Sequence, residues 1–387
     1  MAKGVDTIFR YSPLKVPSIM RYHWAAKEAF SLRGEPATVK STFIALVSKE
    51  LAEENGRELF DWNRESLDRK KEAFAKPDRF FIFADYRASE TDIGEIRLQD
   101  INGSDGYIIY KYGLLFAAMS KPEAMGVLFL DEMNLAPQMI KAQFYKLVND
   151  HCVGDIPLSD DVMVVIAGNE VQHAHGATRD PVPLVTRRAN YFLRPLNDEE
   201  FSQFMVTTAH HPWVIGYLAF APQETHSLKY DLPDEVGQPC PRTWTKLSNI
   251  ILSNKNMKDE DVEMVATAYV GQASARQFMS YVKTARKVDI DSVIKKPELI
   301  KEFEKELSMI YAICTGIVEK FRTDKKVIRP AIEVSIHVSR PELGAYLMRS
   351  MKAVNPSGFM KMGFDEKVLD KDLLQKFSSR YGKFLLE

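Results

Sequence analysis

Four consecutive apolar residues, Val127 to Leu130, run directly into two carboxylates, Asp131 and Glu132. An unbroken apolar run of this length is the pattern of a strand buried on both faces. Such a strand sets its two acids at the C-terminal edge of a sheet, where α/β folds bind ligands. There the first acid can hold a divalent cation and the second can polarise a water for attack on a phosphate. A strand that simply ends in two solvated acids would look the same. The choice turns on whether a phosphate cradle lies upstream.

Ser31 to Thr42 reads SLRGEPATVKST. Ala29 to Arg33 is predicted as a short strand, and Lys40-Ser41-Thr42 opens a helical pattern with apolar Phe43, Ile44, Leu46, Val47 and Leu51. Strand, glycine loop, Lys-Ser and helix is the order of a P-loop. The candidate cradle comprises Gly34, Glu35, Pro36, Ala37, Thr38, Val39, Lys40, Ser41 and Thr42. Lys40 would reach the β- and γ-phosphates of ATP, while Ser41 and Asp131 would hold Mg²⁺. Val39 departs from the pattern, which wants glycine before the lysine, and Ala37 stands where glycine is common. A β-branched residue resists positive φ and crowds the approach of a phosphate.

A chain of 387 residues is too long for one core and suggests two or three domains. With 52 basic and 53 acidic residues it has no global positive field to recruit nucleic acid or an anionic membrane. Three scattered cysteines, Cys152, Cys240 and Cys314, suggest free thiols in a reducing compartment. With no signal-peptide pattern and no run of 18 apolar residues, a cytoplasmic protein is expected. Further strands are predicted at Arg79–Tyr86, Asp161–Gly168 and Tyr191–Leu196, and a short hairpin arm at Val153–Leu158. Residues 56–78 are charged and predicted to contain a helix, Arg64–Ala75. Strands alternating with helices over the first ~200 residues predict a mostly parallel, helix-covered sheet. The remainder reads as helices, separated by breaks at prolines including Pro330 and Pro356, with His210-His211 at the end of one helix.

Once these pieces are in order, the chain resembles the MoxR branch of the AAA+ ATPases, from about Ile8 to Leu386. The densest part is GVLFLDEMNLAPQMIKAQFYKLVNDHCVGDIPLSDDVMVVIAGNE, similar to the family's Walker B strand, following helix, β-arm and sensor 1 strand. PRTW at 241–244 and RPELGAYL at 340–347 are similar to a subgroup of short bacterial and phage members. The resemblance implies an AAA+ P-loop three-layer core over 1–200, a helical lid over 201–290 and C-terminal helices over 291–387. It also implies roles. Gly34, Lys40, Ser41 and Thr42 match Walker A, while Asp131 and Glu132 match Walker B, with Glu132 activating water. Asn169 matches sensor 1, Arg187 the arginine finger (Arg188 being the alternative), and Arg242 sensor 2. The family further implies a homo-oligomeric ring, most often a hexamer, and chaperone-like work on a partner protein, commonly one with a von Willebrand factor A domain.

Two readings of function stay open. One is a Mg²⁺-dependent ATP hydrolase that remodels a partner protein, slowed by Val39. The other is an ATP-bound assembly module with little hydrolysis. A nucleic-acid motor is disfavoured by the near-zero net charge. His173 and His175 have the spacing of metal ligands but no accompanying Cys or carboxylate set, and Arg87 is a candidate contact for a partner in an insert after the second strand.

Overall fold

The computed structural model describes residues 8–35, 38–87, 90, 96–100, 109–170, 180, 182–226, 236–254, 256–363, 365 and 369–386. The chain divides into two compact units, 1–196 and 197–387. The first is built on strands β1 (Arg10–Tyr11), β2 (Phe30–Gly34), β3 (Glu58–Asp61), β4 (Phe80–Arg87), β5 (Arg97–Asp100), β6 (Ile109–Tyr112), β7 (Met125–Asp131), β8 (Cys152–Val153), β9 (Ile156–Pro157), β10 (Val162–Asn169) and β11 (Ala189–Leu193). Seven of these form one sheet in the order β1-β11-β2-β10-β7-β4-β3, with every neighbouring pair parallel. β5 pairs with β6, and β8 with β9, as small antiparallel ribbons. The hairpin expected at Val153–Leu158 is the second of these, one residue earlier.

The apolar run forms the strand it predicts: Val127, Leu128, Phe129 and Leu130 are all fully buried. Side chains alternate across a strand, so each face needs its own cover. On one face Leu128, Leu130, Val164, Ile166, Phe80 and Ile82 join a core with Phe116 and Met119 of the helix Leu114–Met119, and with Ile140, Phe144 and Leu147 of the helix Gln138–Asp150. The helix Lys40–Glu54 turns Phe43, Ile44, Val47 and Leu51 inward and packs on β7 and β4. The result is an α/β P-loop-type core of three layers, followed by helices.

The strand order places the phosphate-loop candidate at a switch point. From β2 the chain goes out to β3, returns through β4, β7 and β10 to the near side of β2, and crosses to β11 on the far side. A crevice opens at the carboxyl end of such a strand, and β2 ends there at Gly34.

β3 was not expected. Only Phe60 of its four residues is fully buried, and the charged side chains around it, Glu58, Arg69, Glu72 and Arg79, pair along the sheet edge. Charge on an edge strand is the ordinary defence against edge-to-edge pairing, and it hides the strand from a hydrophobic pattern.

The described secondary structure of the second unit is all helical. Trp244, Tyr217, Phe278 and Tyr281 meet at its centre, with Tyr217 5.4 Å from Trp244 and 5.5 Å from Phe278. Several expected boundaries move. Asp259–Ala285 is interrupted at Gly271, whose φ of 79° lies outside any helix. Pro330 lies in the first turn of Ile328–His337, and Pro356 begins Pro356–Gly363, both places where a missing N–H costs nothing.

His210 closes the helix Asp198–Thr207 as expected, its N–H donating to Met205 O at 3.0 Å, whereas His211 opens the next helix. His211 is the N-cap of Pro212–Phe220, its ring Nδ1 accepting from Trp213 N at 3.2 Å. Burial pushes both histidines down to about 4. A folded pKa below the unfolded value of about 6.5 gives stability that is full above pH 6.5 and is lost as pH falls toward 4. Thermal unfolding of the helical unit is therefore expected to weaken between pH 7 and pH 5, by up to about 2 kcal/mol per histidine. His211→Asn, a cap that does not titrate, should reduce that loss. An unchanged pH slope in this variant would refute the assignment.

Candidate functional site

The carboxyl ends of β2, β7 and β10 bring together most of the residues singled out from the sequence. Gly34 is required by proximity: a Cβ there would lie 2.9 Å from Leu193 O on β11. In the β2–β10 register Asn169 stands directly opposite Gly34. The Lys40 side chain is buried and donates from Nζ to Thr38 Oγ1 at 2.9 Å, Glu35 O at 3.0 Å and Gly34 O at 3.3 Å, with Asn169 Oδ1 at 3.4 Å. Thr38, also buried, donates to Glu35 O at 2.9 Å. Pro36 and Ala37 lie outside the described residues.

Ser41 Oγ lies 3.4 Å from Asp131 Oδ2, although the two residues are 90 positions apart. A hydroxyl and a carboxylate side by side are the hard oxygen donors that suit Mg²⁺, which keeps several waters and takes few protein ligands. The first turn of Lys40–Glu54 carries no acidic residue of its own to offset the positive end of that helix. Thr42 is exposed on the same turn. The residues present thus fit a magnesium nucleotide.

Two backbone positions are unusual. Val39 caps the helix at φ 51°, ψ 23°, and Glu132 has φ 54°. Glu132 N donates to Asp131 Oδ1 at 2.8 Å, while Met133 N reaches Ala167 O on β10 at 3.2 Å. The left-handed conformation turns the chain sharply at the end of β7. For Val39 it is a conformation that β-branched residues avoid.

Arg187 and Arg188 separate clearly. Arg187 is exposed, whereas the side chain of Arg188 has no exposed surface. Arg188 pairs with Asp180, which also pairs with Arg33 and lies 3.8 Å from Lys141 Nζ. Burial lowers the pKa of Lys141, while Asp180 raises it. This cluster was not foreseen, though Arg33 and Lys141 gave a signal: each is a charge set among residues that turn inward. Beside it Asn134 is buried with neither side-chain atom partnered among the described residues, and a Cβ on Gly168 would come within 2.5 Å of Asn134 Oδ1 and 3.0 Å of Arg33 Nη1.

Arg242 occupies the exposed first turn of Pro241–Ser253, in the second unit. Arg87 ends β4, exposed and 3.1 Å from Glu90, at the rim of a cavity of about 760 Å³ lined also by Trp62, Asp85, Tyr86 and Phe116. Asp85 is pushed up to about 6, by burial first and then by the charge of Asp131. His173 and His175 lie outside the described residues, and among those described no His, Cys, Asp or Glu group of three could hold a metal. Nor is any described helix long and apolar enough to cross a membrane.

The Val39 geometry has a measurable cost. Strain of this kind is worth roughly 1–3 kcal/mol, against about 0.5–1 kcal/mol of extra chain entropy for glycine. Val39→Gly is therefore expected to stabilise the first unit by about 1 kcal/mol in chemical denaturation. A loss of stability would show that the valine side chain contributes packing that outweighs the strain.

No family model and no curated protein matches this chain. Among solved structures it is similar to a protein of Cytophaga hutchinsonii assigned as an ATPase, at 12% identity and TM-score 0.30 over 97% of this chain and 90% of that one. It is also similar to PCH-2 of C. elegans, at 12% identity and TM-score 0.28 over 70% of this chain and 66% of that one. The third is the ORC2 protein of Aeropyrum pernix, solved with ADPNP and ADP, at 12% identity and TM-score 0.29 over 99% and 98%. Likeness at this level carries no argument about activity, which rests on the strand order and the geometry of the β2, β7 and β10 ends.

Proposed function

We propose that this chain is an AAA+ ATPase of the MoxR-like kind, binding MgATP at the ends of β2, β7 and β10 and hydrolysing it between subunits of a ring, most simply a hexamer. The observation that carries the reading is the convergence of four residues from three strand ends. Lys40 stands 3.4 Å from Asn169 and Ser41 stands 3.4 Å from Asp131. In this reading the loop amides, the helix N-terminus and Lys40 would bind the phosphates, and Ser41 and Asp131 would hold Mg²⁺, which would supply charge neutralisation there. Glu132 takes the proton of the attacking water, Asn169 positions that water, and Arg187 reaches the nucleotide of the neighbouring subunit. Arg187 suits that role better than Arg188 because it is exposed. Residues 201–290 would act as the lid, with Arg242 as sensor 2, and 291–387 as its extension. The resemblance adds a client protein, with a von Willebrand factor A domain partner as the first to try, and a cytoplasmic setting.

One observation supports the assembly-module alternative. The φ of 51° at Val39 puts a β-branched side chain where the phosphate loop ordinarily has glycine, so tight binding with slow turnover would follow from a loop that resists rearrangement.

Phosphate release with Mg²⁺ and ATP, followed across protein concentration, separates the two. Turnover should rise with assembly. Glu132→Gln should retain nucleotide binding and lose turnover by about a hundredfold or more. Arg187→Ala should lose about a thousandfold. Undiminished turnover in Glu132→Gln would sink the mechanism. A wild type without turnover that Val39→Gly sets working would favour the assembly module.

A further inference from the structure

We infer that Asp180 and Asn190 form a clamp that sets the direction of Arg187. This rests on the reading of Arg187 as the residue given to the neighbouring subunit. Arg187 lies on the turn between the helix Val182–Val185 and β11. Two side chains hold that turn. Asn190 closes it on itself: Nδ2 donates to Val185 O at 2.9 Å and to Arg188 O at 3.1 Å, while Oδ1 accepts from Arg188 Nε at 3.2 Å. Asp180 pins it to the core, its carboxylate accepting from Arg188 and from Arg33 with 2% of its side chain exposed.

The geometry makes the two arginines opposites. Arg188 is drawn wholly inward, so its neighbour on a tight turn is driven out. The carboxylate that does this also holds Arg33, the residue before Gly34. The arm that serves the next subunit is thereby tied to the start of the phosphate loop of its own. Val182 and Val185, on the same arm, are 73% and 40% exposed, an apolar surface suited to a second copy of the chain. Asp180 and Asn190 are positioning residues: they touch Arg188 and the turn, and they act through Arg187.

The test uses Asp180→Asn and the milder Asn190→Ala, because removing a buried carboxylate among three cations can unfold the chain. Hydrogen exchange of amides 182–190 should be faster in both and unchanged in Arg187→Ala. Each clamp variant should bind a nonhydrolysable ATP analogue as wild type does, yet turn over about a hundredfold more slowly, the cost of a misplaced group. The decisive readout is mixing with Glu132→Gln, whose own site is inactive but whose Arg187 arm is intact. An equal mixture should regain turnover at least about tenfold above the sum of its parts, since the intact arm completes the clamp variant's site. A merely structural defect in the variant's own site would not be rescued in this way. Unaltered exchange overturns the clamp whether or not ATP is hydrolysed. Loosened exchange with full turnover, or a loss that mixing does not restore, overturns the positioning role. Wild-type turnover that Arg187→Ala leaves intact overturns the functional reading itself, and this inference with it.

Discussion

A parallel sheet covered on both faces has almost no outlet for polar chemistry except the ends of its strands. Val127 to Leu130 and Val162 to Gly168 have no polar side chain and no exposed surface to speak of. Everything that binds or reacts must therefore emerge at the carboxyl edge, where β2, β7 and β10 end side by side. The spacing between these strands leaves little room elsewhere. At Gly126 a Cβ would meet Ile82 O at 2.0 Å, so β7 and β4 approach as closely as backbone allows. That tight frame holds Ser41 and Asp131 to one place from opposite ends of a 90-residue excursion.

How legible the chain was depended on how each element buries its residues. β4, β7 and β10 are long and apolar and could be read directly. β3 escaped because one buried phenylalanine in an edge of paired charges has no hydrophobic period. Of the two histidines expected to end a helix, His210 does so, while His211 caps the following one, which only the Trp213 N–H at its ring shows. At the site, local order was readable: glycine, lysine, serine in one stretch and two acids in another. The cluster of Arg33, Lys141, Asp180 and Arg188 was not, because its members come from four separate segments and only the folded chain brings them together.

Two of the five described non-glycine residues with positive φ lie on either side of that edge. Val39 enters the helix that carries Lys40 and Ser41, and Glu132 leaves the strand that carries Asp131. Both hold the left-handed conformation without glycine, and residues so held persist only where the surroundings over-determine them. At Glu132 the surroundings are visible: Asp131 Oδ1 takes its N–H, and β10 takes the next one. At Val39 the helix takes the carbonyl, through Phe43 N at 3.1 Å, and the cap has no side-chain bond. Strain at Glu132 orients a carboxylate beside the candidate magnesium ligands. Strain at Val39 has no such visible return among the described residues.

The buried charges follow a different logic from the sheet. One carboxylate with three cations around it is a poor source of stability, because each ion loses its hydration and well-packed apolar side chains of similar size often do as well or better. What ions give that apolar contacts do not is direction. A guanidinium must point its N–H groups at the carboxylate, so Arg188 cannot rotate away, and neither can the turn that carries it. An apolar residue at 188 would fill the same space and leave Arg187 free to wander. The arrangement thus spends stability at a turn whose orientation a shared site would depend on, whereas the central runs 127–130 and 162–168, with nothing to aim, remain apolar.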